Sequence, residues 1–432
     1  PPPLFSSIRR HTRWRLVSRG LGDVYKRQTQ FSQEFRLAGG SDRVRWQVGT
    51  YYMDYQFDGQ GLTIGAPNID LSFALADAGI IDAPVVGDGN PFDGRSDRIT
   101  DLSVVNLSVF GQVDFDLADT WTQTAGLRWS DDTKEIDWTA FFSSDQDPDT
   151  ILYAATASNP DSGASTILNF FEDDENNYDD VAARLSLQKR FTDTTQGFLS
   201  YNRGNKGGNW TLSSGVSPDR FQHREEVLNA YEIGIKSDVT ETFRVNATVF
   251  YYDYEDYQTF IATPQGAVSP NPQVGNSDAT VFGGEVELFI LPGDNWDIML
   301  GLALNDSEVE SVEAGSVPIV NAELPNAPNV SANYMVRFSP PMGNGELIAQ
   351  IDGAYYGDQF LEVTNGSGTV QDAYNVTNLR LGWRNNNWSI SAWGKNVFDE
   401  RYKAYSLDLG VLGATSFYAP PATYGVTLEA FF

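Results

Sequence analysis

From Phe31 to its end the chain alternates apolar and polar residues with a period of two, which is the pattern of strands with one apolar and one polar face. Val330, Ala332, Tyr334, Val336 and Phe338 share one face, while Asn329, Ser331, Asn333, Met335 and Arg337 share the other. The same holds for Trp296, Ile298, Leu300, Leu302 and Leu304, for Phe243, Val245, Ala247 and Val249, and for Val181, Ala183, Leu185 and Leu187. The pattern predicts fifteen strands, over 31–38, 43–57, 99–116, 121–137, 178–192, 195–206, 225–238, 242–258, 278–290, 295–306, 328–339, 345–356, 374–385, 388–398 and 422–432.

Connections between these strands alternate between short and long. Short ones fall at 39–42, 117–120, 192–194, 239–241, 291–294, 340–344 and 385–387; long ones lie at 58–98, 138–177, 207–224, 259–277, 307–327, 357–373 and 399–421. A soluble sandwich has no reason for that parity, whereas a transmembrane barrel has short periplasmic turns and longer extracellular loops. The fold class expected is therefore all-β, an antiparallel up-and-down transmembrane barrel with its long loops outside the cell. Bacterial barrels have an even number of strands, so fifteen implies part of a larger wall.

Composition narrows the function classes. The formal charge of -29 argues against a nucleic-acid partner, which needs Lys and Arg for its phosphates. There is no Cys, and the two histidines are His11 and His223, so Ser-His-Asp, Cys-His and multi-His zinc sites lack their residues. No catalytic residue, metal site or cofactor is assigned. No stretch reaches the roughly 18 apolar residues of a membrane helix. Residues 1–28 carry Arg9, Arg10, Arg13, Arg15, Arg19, Lys26 and Arg27 and no apolar signal core, and they are read as a non-native basic tail; 29–432 form the barrel portion.

Several blocks resemble one family, the TonB-dependent outer-membrane receptors. WGKNVFDERY (Trp393 to Tyr402) is a close match to that family's penultimate hairpin. SQEFRLA (from Ser32), GQVDF (from Gly111), TAGLRWS (to Ser130), FLSYNRGNKGG (from Phe198), YEIGIKSD (from Tyr231), VFYYDYEDYQ (from Val249), GGEVEL (from Gly283) and LPNAP (from Leu324) follow the family's order. The resemblance implies a barrel of about 22 strands closed around a plug. Fifteen would be its last strands, with the plug and the energy-coupling box absent. It also implies uptake of a scarce nutrient such as a ferric chelate, a corrinoid or an oligosaccharide. The expected partners are outer-membrane lipid, the TonB energy-coupling complex through the plug, and the barrel-assembly machinery, in the outer membrane of a Gram-negative bacterium. A passive porin-like channel is the alternative.

Candidate site residues follow from position. Arg128, Arg184, Arg203, Glu232, Lys236, Arg244, Arg337, Asp352, Arg380, Arg384 and Lys395 fall on the polar face; they either hold the plug or pair across neighbouring strands. Arg203, Lys206, Asn209 and Trp210, where a strand top enters a Gly-rich loop, are candidates for stacking and hydrogen-bonding a ligand, against a loop that only folds inward. Glu172, Asp173, Asp174, Glu175, Asp179 and Asp180 read as a solvated acidic loop; oxygen ligands at this spacing suit Ca²⁺, but the Gly of an EF-hand loop is missing. Tyr424, Val426, Leu428 and Phe432 make the apolar edge of the last strand, and the resemblance implies that assembly machinery reads this edge with its aromatic terminus.

Overall fold

The computed structural model describes residues 26–64, 95–143, 166–211, 222–262, 273–312, 319–409 and 413–431. All fifteen expected strands are present, as one antiparallel sheet. They are β1 (Lys26–Gly40), β2 (Val44–Ile64), β3 (Arg95–Ala118), β4 (Trp121–Ser143), β5 (Thr166–Arg190) and β6 (Thr195–Lys206). Then come β7 (Glu226–Thr240), β8 (Phe243–Ile261), β9 (Gln273–Ile290), β10 (Trp296–Val312) and β11 (Val330–Phe338). The last four are β12 (Gly345–Tyr356), β13 (Tyr374–Arg384), β14 (Trp388–Lys395) and β15 (Thr423–Ala430). Each pairs with its sequence neighbours, and among the described residues no ladder joins β1 to β15. Lys26–Gln28, the end of the basic tail, continue β1 opposite Gly59–Phe57.

Register makes the two faces continuous from strand to strand. Leu185 stands opposite Ala125 and Tyr201, and Leu199 opposite Leu187 and Ile233. Further along, Leu302 stands opposite Val286 and Ala332, and Leu381 opposite Ala349 and Ala392. Leu127, Leu199, Ile233 and Leu381 are 64%, 57%, 59% and 59% exposed. So much contiguous exposed aliphatic surface suits hydrocarbon rather than water.

Aromatic rows bound this apolar face. On the loop side Tyr201, Tyr231, Tyr251 and Phe282 stand opposite one another across four strands. On the turn side lie Trp46, Trp388 and the Trp296–Phe338 pair, whose ring centroids are 4.5 Å apart. In β8 the rows lie at Phe243 and Tyr251, matching the roughly 9–11 residues a tilted strand needs to cross a bilayer core.

Two features depart from expectation. The alternation ended at residues 57 and 137 and resumed at 99 and 178, yet β2, β3, β4 and β5 run well past those points. The acidic run Glu172 to Asp180 therefore lies within β5 and is not a loop. Secondly, several long connections carry their own pairings: Asn209–Trp210 with Gln222–His223, Gln359–Phe360 with Val370–Gln371, and Lys403–Asp408 with Ala414–Tyr418. Ile319–Ala322 pairs with the upper part of β10. The buried apolar clusters sit among these upper segments and the upper ends of the wall strands, not in the apolar band.

Candidate functional site

Above the aromatic row, β5 presents Asp174, Asn176, Tyr178 and Asp180 on its lumenal side, the side shared with Arg184. The chain leaving β6 folds back over them. Trp210 Nε1–H donates to Asp174 Oδ2 at 2.6 Å, the Gln222 amide donates to Asn176 Oδ1, and Arg203 Nη1 donates to Asp180 Oδ1 at 2.6 Å. Gly208 is required here, because a Cβ would lie 2.4 Å from both the Tyr178 hydroxyl and the His223 carbonyl. Its own carbonyl accepts from Lys134 Nζ at 2.6 Å. Gln258 Nε2 holds the loop from the other side, donating to the carbonyls of Gly207 and Arg224 at 3.1 and 3.0 Å.

The four residues expected to meet a ligand do not converge. Trp210 is buried against Ile136 and Trp138, and Arg203 is committed to Asp180. Lys206 and Asn209 are exposed, and Asn209 Oδ1 accepts the Trp210 backbone N–H at 2.9 Å. The inward-folding reading of this loop is the one the geometry matches. The acidic residues of β5 likewise have partners: Asp174 and Asp180 accept hydrogen bonds from this loop and from Arg203. Among the described residues no group of three or more His, Asp or Glu side chains is arranged to hold a metal ion.

Burial leaves charge under the loop. Among the described residues, His223 Nδ1, Asp180 Oδ2 and Glu225 Oε2 are enclosed without a hydrogen-bond partner. Burial, and then the nearby Lys206 and Lys134, push the His223 imidazole down to about 4. Burial and the Asp180 carboxylate raise Glu225, against the pull of Arg203. Because the closed loop holds His223 neutral, protons favour the open loop. Closure should be fullest above the ordinary imidazole value of 6.5 and weaken as the pH falls from there toward 4. Amide exchange at Trp210 between pH 7.5 and 4.5 should report this, and His223→Gln should flatten the profile; an unchanged slope in that variant would contradict it.

On the lumenal wall, three of the expected charges, with Arg45 beside them, pair across strands near the short turns. Arg337 meets Asp297 at 2.9 Å, Arg384 meets Glu346 at 2.7 Å, Arg45 meets Asp116 at 2.6 Å, and Arg244 meets Asp238. These side chains are largely solvent-accessible, so each pair is worth at most about 1 kcal/mol. Arg128 donates to the Ser108 and Ser130 hydroxyls and lies over the Tyr51 and Phe110 rings. Glu232 accepts from Ser200 and Tyr252, and Asp352 from Gln350 and Asn378. Arg184 stands opposite Gly126 and Asn202, Arg380 opposite Gln350 and Trp393, and the Lys236 and Lys395 amines lie over the Phe198 and Trp393 rings.

A second assembly above β8 to β14 was not visible in the sequence. The Glu362 carboxylate, 3% exposed, accepts the Ala262 and Asp408 backbone N–H groups, each at 2.9 Å. Asn365 accepts from the Glu323 N–H at 2.7 Å and returns a hydrogen bond to its carbonyl at 3.0 Å. Two side chains thus tie four connections together over a cluster of Ile261, Ala279, Val309, Ala322, Leu324 and Val363. The Asn365–Gly366 dipeptide, a turn signal, was all the sequence offered here, and it is a weak one; in the structure Asn365 is left-handed (φ 50°).

The WGKNVFDERY block is a built turn. Asn396 (φ 49°) accepts the Glu400 N–H at 2.9 Å and donates to its carbonyl at 2.8 Å, while Asp399 accepts the Ala422 N–H at 2.8 Å at the start of the last hairpin strand. In β15, Tyr424, Val426 and Leu428 point outward and are 68%, 71% and 65% exposed; Phe432 lies outside the described residues.

The family description "TonB dependent receptor-like, beta-barrel" matches residues 5–397. Among solved structures, the ferric yersiniabactin uptake receptor FyuA from Yersinia pestis superposes with a TM-score of 0.70 at 18% identity, over 94% of this chain and 55% of that one. The siderophore receptor PiuA from Acinetobacter baumannii gives 0.67 at 16%, over 94% and 56%. The copper transporter OprC gives 0.64 at 13%, over 94% and 57%. The chain spans little more than half the length of these proteins. The two-faced wall, its girdles and its turn block thus agree with the family match: this chain belongs to the TonB-dependent receptors, in their β-barrel domain.

Proposed function

We propose that the protein is an outer-membrane receptor that takes up a scarce nutrient with energy from the TonB complex. The observation that carries this is the continuous two-faced wall, apolar outside and lined inside by arginines and carboxylates, in a member of this family. Similar structures are receptors or transporters for ferric yersiniabactin, ferric catecholates and copper, which makes a metal chelate the leading substrate class, ahead of corrinoids and oligosaccharides. Lumenal Arg128, Arg184, Arg244, Arg337, Arg380, Lys395 and Asp352 would face a plug, the cations through donors their wall partners leave free and Asp352 through its carboxylate as acceptor. Long extracellular connections would gather the substrate, with Lys206 and Asn209 the exposed members of the loop that covers Trp210. The last strand, from Tyr424 to Phe432, would be read during assembly.

Uptake of radiolabelled ferric chelates by cells expressing the full-length receptor, with and without a working TonB complex, tests this. Accumulation should need both the receptor and TonB. Uptake that persists unchanged without TonB would favour a passive channel and overturn the energy-coupled reading.

A further inference from the structure

Trp210 occupies a slot built by strands far from it in sequence. The walls are Ile136 and Trp138, with Leu102 packed beside them, on the lumenal side of β3 and β4, where Leu102 stands opposite Ile136. Asp174 of β5, also opposite Ile136, accepts the indole N–H on Oδ2 at 2.6 Å. An apolar cleft with one carboxylate oxygen in reach suits a flat ring that carries a donor at its edge. Trp210 is 6% exposed, so its own indole shows what the slot holds.

The strap that delivers this ring is held less well than the ring itself. It runs from Gly207 to Trp210 and pairs, through Asn209–Trp210, with Gln222–His223. Its path presses Gly208 against the Tyr178 hydroxyl and the His223 carbonyl, leaving no room for a Cβ. It also covers polar atoms without satisfying them. Asn176 Nδ2, Asp180 Oδ2, His223 Nδ1 and Glu225 Oε2 have no hydrogen-bond partner among the described residues. Each gives up water on closure without a replacement, which sets the closed strap at a disadvantage. Lifting the strap returns these groups to water and opens a shaped slot on the lumenal side.

We propose, resting on the receptor reading above, that Trp210 stands in for part of the substrate: a planar aromatic group bearing an N–H or O–H donor displaces it, takes its place beside Ile136 and Trp138, and donates to Asp174. The slot discriminates against the same ring without its donor, because Asp174 would then lose its partner in an apolar cleft. Until a ligand arrives, the indole keeps this apolar surface out of water. The slot is free only in the fraction of molecules with the strap lifted, and apparent affinity is lowered by that fraction. Emptying the slot removes the penalty without adding a contact.

Equilibrium dialysis of radiolabelled indole against the full-length receptor in detergent tests this, with N-methylindole as the ring that lacks the donor. Trp210→Ala should bind indole about tenfold more tightly than the wild type, or better. Gly208→Ala crowds Tyr178 and lifts the strap while leaving the slot walls as they are; it should tighten binding in the same direction, and it serves if Trp210→Ala fails to fold. In either background indole should be preferred over N-methylindole by roughly tenfold, and Asp174→Leu should erase that preference. In the wild type, saturating indole should speed amide exchange at Trp210 while Ile136, within the β4 ladder, stays protected. Trp388→Ala removes an indole at the short-turn end of the wall and should change none of these values. Unaltered affinity in both Trp210→Ala and Gly208→Ala, equal binding of the two rings, or unmoved exchange at Trp210 under saturation would each overturn the proposal. None of these measurements involves TonB or uptake, so a passive channel would leave them standing, and their failure would leave energy-coupled uptake untouched.

Discussion

Arginine at Leu185 should destabilise the folded receptor by about 2–4 kcal/mol, whereas arginine at the very next residue, Ser186, should cost far less. Leu185 is 50% exposed, stands opposite Ala125 and Tyr201, and lies five residues above the short turn that follows β5. Within β5 it lies midway between Lys189, opposite Trp121, and Val181, opposite Trp129, and so near the middle of the apolar band, where a guanidinium has neither water nor a partner. Ser186 faces the lumen between Thr124 and Ser200, within reach of water and close to Glu232. The two positions share strand, depth and backbone environment and differ only in face. Unfolding from lipid vesicles by urea, read by heat-dependent gel mobility, gives both values. Equal losses would show that β5 does not separate lipid from lumen as described.

Glu362→Ala should unfasten the extracellular connections while leaving the wall intact. The substitution strands the Ala262 N–H in a buried site, at roughly 1–3 kcal/mol for an orphaned donor, and the Asp408 N–H in a half-buried one, at less. The wall hydrogen bonds do not involve Glu362, so the loss is local. Hydrogen exchange should accelerate at Ala262 and Asp408 by about tenfold or more, while amides in β6 and β7 stay protected. Glu362→Gln retains one acceptor oxygen and should fall between. If exchange at both amides is unaffected by alanine, the carboxylate is not what holds these segments.

The wall was legible because lipid imposes a rule on every second residue. All fifteen strands were found wherever that rule applied. Their upper ends were missed for a physical reason. Past the aromatic row the outward positions become Asp58, Asp101, Glu135, Asp137 and Glu175, so the apolar alternation stops although the hydrogen-bonded ladder continues. Hydropathy reads the solvent beside a strand, not the strand itself. The loop chemistry was legible only in part. Trp210, beside glycines and asparagines, reads as a ligand platform until Ile136 and Trp138, over seventy residues earlier, are seen to bury it. The role of Glu362 depends on backbone groups about 100 and 46 residues away, which no local pattern encodes.

The long strands have a geometric consequence. β3, β4 and β5 contain 24, 23 and 25 residues, against roughly 9–11 for a crossing. At about 3.3 Å per residue and a tilt near 45°, the surplus stands some 30 Å above the bilayer core. Over β10 to β14 the strands are shorter and the rim is formed by the packed connections that Glu362 ties together. Along the described wall the rim is therefore uneven, a tall parapet over β3 to β5 and a knotted shoulder over β10 to β14.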